Sequence, residues 1–130
     1  MVMKKRVLYV DDNPNNRLLV KRILQAEGHE MIEAVDGESG WDTVVREAPD
    51  FIFVDLLMPG ADGFELTRQI KSTPELSHIP IVTLTAYGSP ETEKIAKEAG
   101  CDGFLHKPAK ASQIQTILRQ FLGASTVGCK

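Results

Sequence analysis

The 130 residues are 42% hydrophobic and 25% charged, with a formal net charge of -3 at pH 7, the balance of one soluble globular domain that can bury a core without staples. The lysines and arginines are scattered rather than clustered, which argues against nucleic acid as the main ligand and against a polybasic membrane patch. Cys101 and Cys129 are too few for a disulfide framework, and no apolar stretch suits a signal peptide or a membrane span, so a cytoplasmic protein with reduced thiols is expected.

Five short apolar runs alternate with five helical patterns. Val7 to Val10 is the first run, and its near-continuous hydrophobicity suits a strand covered on both faces. Asn13 then reads as a helix N-cap with Pro14 at the first helical position. Leu19, Ile23 and Leu24 give that helix an apolar side, and Gly28 closes it. Met31 to Val35 is a weaker second strand. Trp41, Val44, Val45 and Ala48 recur at helical spacing, and Pro49 ends the pattern.

Phe51 to Val54 is the third and strongest strand, followed by a loop through Met58, Pro59, Gly60 and Gly63. A helix through Phe64, Leu66 and Ile70 comes next, then Ile81 to Leu84 as the fourth strand. Helix four runs from about Glu91 to Ala99, stopped by Gly100. Gly103 to Leu105 is a short fifth strand, and Ile114, Ile117, Leu118, Phe121 and Leu122 stripe the last helix. Strict alternation predicts a single doubly wound α/β domain with a parallel sheet over residues 1–123. Residues 124–130 are expected to form a frayed tail.

The polar residues fall where such a sheet places ligands. Asp11 and Asp12 follow the first strand, Asp55 the third, Thr85 the fourth and Lys107 the fifth. All are positions at the carboxyl edge, where ligands bind at the reversal of strand order. Each alone has a blander reading: Asp11 and Asp12 as capping residues, Thr85 as strand filler, Lys107 as a solvated cation. Asp55 ends a buried strand, and a carboxylate buried there needs a cation or a partner. Three carboxylates in one crevice repel unless a cation joins them. An all-oxygen set with few protein ligands favours Mg²⁺ over Ca²⁺. His29, His78 and His106 lack zinc-ligand spacing.

Asp11-Asp12, Asp55 within Val54-Asp55-Leu56-Leu57-Met58-Pro59-Gly60, Thr85-Ala86 and Lys107-Pro108 resemble the receiver domain of bacterial response regulators over about residues 5–122. The resemblance implies a flavodoxin-like fold with strand order 2-1-3-4-5. It also implies that Asp55 is the phosphoacceptor, taking a phosphoryl group from a histidine kinase or histidine phosphotransfer protein. Mg²⁺ is then held by Asp12 directly, by Asp11 through water, by Asp55, and by the backbone carbonyl of Leu57. Lys107 neutralises a phosphoryl oxygen, Thr85 donates its hydroxyl to another, and the Lys107-Pro108 bond is cis.

Thr85 and Phe104 form the implied switch, with Phe104 standing where tyrosine is more usual. The output face is helix four, strand five and helix five, presented to a downstream protein rather than to nucleic acid or membrane. Leu57 and Tyr87, two residues beyond Asp55 and Thr85, are expected to shield the phosphoryl group and lengthen its lifetime. Such a domain can stand alone or be a module of a hybrid kinase or larger regulator. A flavin-binding electron carrier of the same fold is disfavoured because Asp11 and Asp12 would repel the flavin phosphate. An aspartate-nucleophile phosphatase wants a second acid where Leu57 stands.

Overall fold

The apolar runs do become strands, and their order is what brings the acids together. In the computed structural model, which describes residues 4–56, 63–85, 90–107 and 109–122, the elements alternate without exception. They are β1 (Arg6–Val10), α1 (Pro14–Ala26), β2 (Glu30–Ala34), α2 (Gly37–Glu47), β3 (Phe51–Asp55), α3 (Gly63–Lys71), β4 (Ile81–Thr85), α4 (Pro90–Ala99), β5 (Gly103–His106) and α5 (Ala111–Leu122). The strands form one parallel sheet in the order β2-β1-β3-β4-β5, the flavodoxin-like arrangement implied by the resemblance. Strand order reverses between β1 and β3, so the crevice opens beyond the ends of those two strands.

Alternation of side chains along each strand splits the interior into two layers. Leu8, Val10, Ile52, Val54 and Ile81 face α2 and α3, joined by Val44, Leu66 and Ile70. Val7, Tyr9, Phe51, Phe53, Val82 and Leu84 face α1 and α5, joined by Val20, Ile23, Leu24, Ile114 and Leu118. The same parity carries Asp11 and Asp55 to the α1/α5 side of the sheet edge, along with Lys107, two residues beyond Leu105.

Local chemistry sets the helix ends. The Asn13 side chain accepts from the N–H groups of Asn15 and Asn16, with Pro14 opening α1, and Gly28 beyond its end has φ 85°. Asp36 and Ser39 cap α2 reciprocally, and Ala48 closes it at φ 44°. Three expected apolar positions turn outward: Leu19 is 51% exposed, Val45 56%, and Ala48 at the end of α2 is exposed as well. On α2 the buried face is Gly37, Gly40, Thr43 and Val44. A Cβ at Gly40 would come within 2.9 Å of Leu66 and 3.3 Å of Val10, so close helix–sheet approach, rather than a bulky apolar side chain, decides which face docks. Val35 falls just beyond β2 and is exposed. Among the described residues, no helix is long and apolar enough to cross a membrane.

Candidate functional site

Asp11, the first residue past β1, is fully buried, and Asp55, the last of β3, is 6% exposed, whereas Asp12 is exposed. One carboxylate oxygen from each lies within 4.8 Å of the others. Their common cation is Lys107, whose Nζ donates to Asp11 Oδ2 at 2.8 Å and to Asp55 Oδ2 at 3.0 Å. Thr85 ends β4, buried, and its carbonyl accepts from the Lys107 N–H at 2.8 Å. That bond ties the end of β5 to the end of β4 and fixes where the lysine leaves the sheet. Four of the five crevice residues expected from sequence thus converge around Lys107, and Thr85 adjoins them through its backbone.

Asp11 is held by hydrogen bonds on both of its carboxylate oxygens. Its Oδ2 accepts from the Tyr9 hydroxyl at 2.9 Å, from Asn16 Nδ2 at 3.2 Å and from Lys107. Its Oδ1 accepts from the Asn13 N–H at 2.9 Å, and Arg17 Nη1 donates to its backbone carbonyl at 2.7 Å. Burial by itself would raise the Asp11 carboxyl, but the Lys107 ammonium and the Asn13 N–H outweigh it and hold the group below the usual carboxylate range. Burial would likewise lower Lys107, and the two carboxylates at its tip raise it above an ordinary lysine. Burial, followed by the Asp11 charge, pushes the Tyr9 phenol far up, so it stays a donor.

This donor set suits a hard divalent ion. Three carboxylates meet one ammonium, a residual charge of about minus two, and all the donor atoms are oxygens. A group that must lose its proton to bind metal is already ionised at Asp11. The Leu57 carbonyl, the Lys107-Pro108 bond and Tyr87 lie outside the described residues. Phe104 is half-buried on β5, its ring edge-on to His106 with centroids 5.2 Å apart. In the β4–β5 register Thr83 pairs with Phe104 and Thr85 with His106, so these residues form a second row along the sheet edge, out of step with Asp55 and Lys107.

Sequence reading missed Tyr9 and Asn16. Tyr9 was absorbed into an apolar run, and only its hydroxyl, two residues before Asp11 on the same strand face, could have marked it. Asn16 reads as an ordinary first-turn residue. Behind the acids, Tyr9, Asn16 and Lys107 also line a cavity of about 290 Å³ whose other walls include Val20, Leu84 and Ile114. Gly63, at the start of α3, is required by close approach: a Cβ there would lie 2.5 Å from the Asp55 carbonyl oxygen.

Residues 7–119 match the family model of the response regulator receiver domain. The polar-differentiation response regulator DivK of Brucella anthropi is 31% identical over 121 residues, covering 93% of this chain and 98% of that protein. Among solved structures, the chemotaxis protein CheY4 of Vibrio cholerae superposes with a TM-score of 0.86 at 31% identity, covering 92% of this chain and 100% of that one. The receiver domain of the sensor histidine kinase PA1611 of Pseudomonas aeruginosa, which carries a magnesium ion in its active-site cleft, gives a TM-score of 0.86 at 29% identity over 94% of this chain and 100% of its own.

Proposed function

Because the chain belongs to the response regulator receiver family, we propose that it accepts a phosphoryl group on Asp55, with Mg²⁺ bound beside it, from a histidine kinase or histidine phosphotransfer protein. The observation that carries this reading is the placement of Asp55: a nearly buried carboxylate at the end of the central strand, sharing one lysine with Asp11. The magnesium in the PA1611 receiver supports the choice of ion. Asp12, Asp11, Asp55 and the Leu57 carbonyl are the proposed ligands, and the bound ion supplies charge neutralisation for the incoming phosphoryl oxygens.

Asp55 acts as the nucleophile: its carboxylate oxygen bonds to phosphorus as the phosphorus–nitrogen bond to the donor imidazole breaks. Lys107 swings from its carboxylate partners to a phosphoryl oxygen, keeping its charge as it moves. Thr85 turns its hydroxyl to a second oxygen. Phe104, next along that row, fills the space Thr85 leaves and changes the face formed by α4, β5 and α5, which a downstream protein reads. Residues 1–123 make up this unit, residues 124–130 its tail, and the cytoplasm is its compartment. A receiver module within a larger regulator is the second reading, favoured by the likeness to the receiver of a sensor kinase; a reading frame that continues past Lys130 would establish it.

The test is direct. With Mg²⁺ and acetyl phosphate, mass spectrometry should find one acid-stable, base-labile phosphoryl group on Asp55, and none on Asp55→Asn. A full adduct on that variant refutes the assignment.

A further inference from the structure

The oxygen of Tyr9 is not required by packing. The ring is 1% exposed, wedged edge-on against Phe53 with centroids 6.1 Å apart, in a layer otherwise built from Val7, Phe53, Leu84 and Ile114. Phenylalanine would fill the same space without a polar atom to satisfy. A buried hydroxyl costs free energy unless it is bonded, and this one reaches past the apolar layer to donate to Asp11 Oδ2 at 2.9 Å. We propose that Tyr9 is a positioning residue for the metal site: its hydroxyl holds the Asp11 carboxylate in the orientation that Mg²⁺ binding requires, whether or not Lys107 is in place. This rests on the phosphoacceptor reading above.

The reason lies in which donors stay when the site is used. Asp11 Oδ2 now takes three hydrogen bonds, from Tyr9, Asn16 and Lys107. Lys107 is the one that the reaction calls away to a phosphoryl oxygen. Asn16 is a half-buried side chain in the first turn of α1, with a longer bond of 3.2 Å. Tyr9 belongs to an interior strand and its ring is 1% exposed and packed edge-on against Phe53, so it is the stiffest of the three. Groups behind a metal ligand that fix its orientation are worth about 10- to 100-fold in metal affinity. The lower end applies here, because Asn16 and the Asn13 N–H remain bonded to Asp11.

The test compares wild type with Tyr9→Phe. Calorimetric titration with MgCl₂ should show Mg²⁺ binding weakened about tenfold by the loss of one hydroxyl. In acetyl phosphate labelling, the half-saturating Mg²⁺ concentration should rise by the same factor while the rate at saturating Mg²⁺ stays unchanged. A purely structural role would do the reverse, lowering the melting temperature without moving the half-saturation point. Unchanged or tighter Mg²⁺ binding by a folded Tyr9→Phe overturns the proposal and leaves the phosphoacceptor reading intact. Wild type that binds no Mg²⁺ overturns both. Should Tyr9→Phe not fold, a Tyr87→Phe protein, in which Tyr9 is the remaining tyrosine, decides. Its near-UV tyrosine band should shift on Mg²⁺ addition and saturate with the calorimetric affinity; a band indifferent to Mg²⁺ overturns the proposal.

Discussion

The two ends of the sheet use the same residue types to opposite effect. At the amino end, a polar residue stands just before three of the strands, and each accepts a hydrogen bond from an N–H at, or one residue before, the start of a neighbouring strand. His29 Nδ1 accepts from Lys5 at 3.2 Å, Asp50 Oδ2 from Arg6 at 2.9 Å, and Asp102 Oδ2 from Ile81 at 2.9 Å. Cations there are shared out as well: Lys71 pairs with Asp102 at 2.8 Å, and Arg6 with Glu47. At the carboxyl end the acids are not shared out. Asp11, Asp12 and Asp55 crowd one another around a single ammonium. Polar side chains distributed one per strand close the backbone; acids gathered at one point leave charge for something else to neutralise.

Substitutions at the two ends should therefore differ in kind. The largest effect is expected at Asp55: Asp55→Asn eliminates labelling by acetyl phosphate, whereas Asp102→Asn at the opposite end leaves labelling at the wild-type rate. Equal labelling of both variants, read by intact-protein mass spectrometry, would erase the distinction. Next comes the cation balance. Asp12→Ala should abolish Mg²⁺ binding in calorimetry, while Lys107→Ala retains it. Removing Lys107 takes from Asp11 and Asp55 the ammonium they share, at a destabilisation of about 2 kcal/mol, less than for a sealed pair because exposed Asp12 keeps one side of the cluster wet. Added Mg²⁺ should recover much of that loss by binding only the folded state. Urea melts with and without MgCl₂ check it, and a Lys107→Ala protein indifferent to Mg²⁺ would contradict the charge argument.

At the amino end, Asp102→Ala should cost about 1–2 kcal/mol, since it strands the Ile81 N–H and leaves the Lys71 ammonium with only the Ser77 and Ile79 carbonyls, with no change in Mg²⁺ affinity. The smallest effect concerns pH. Burial holds the His29 imidazole below its ordinary value, so the folded state favours the neutral ring. Its contribution is present in full above the unfolded value of about 6.5 and is lost as pH falls below it. His29→Asn, which offers an amide oxygen to the Lys5 N–H, should lose less stability than wild type between pH 7.5 and 5.5. Urea midpoints at the two pH values measure this, and identical slopes would remove His29 from the account.

The sequence declares its architecture wherever a residue has one job. Apolar runs such as Phe51 to Val54, short and rich in aromatic and β-branched residues, read as buried strands, and Asn13-Pro14 ahead of an apolar helical period reads as a helix start. The crevice residues were legible because strand ends in a parallel sheet point one way, so order along the chain became proximity in space. Legibility failed where a residue does two jobs or where its surroundings choose. Tyr9 fills core with its ring and reaches the site with its oxygen, and hydrophobicity records only the ring. Val45 and Leu19 fit the helical period, yet Gly40 lets α2 press onto Val10 and Leu66 and so rotates Val45 to solvent. Asp50 and Asp102 look like loop acids, because the N–H groups they close lie 44 and 21 residues away.

Asp50 has a further consequence, best put as a matter of measurement. Phe51, Ile52, Phe53 and Val54 are all buried, so the oily part of β3 is a ruler without graduations: slid by one residue, it would still put only hydrocarbon into both layers. Asp55 has no such latitude, for the same slip would carry its carboxylate to the opposite face of the sheet. The graduations are supplied from outside the run. Asp50 donates its N–H to the Arg6 carbonyl at 2.8 Å and accepts the Arg6 N–H on its side chain. Gly63 closes the other end against the Asp55 carbonyl. The zero mark for β3 is thus set at the edge of the sheet farthest from Asp55.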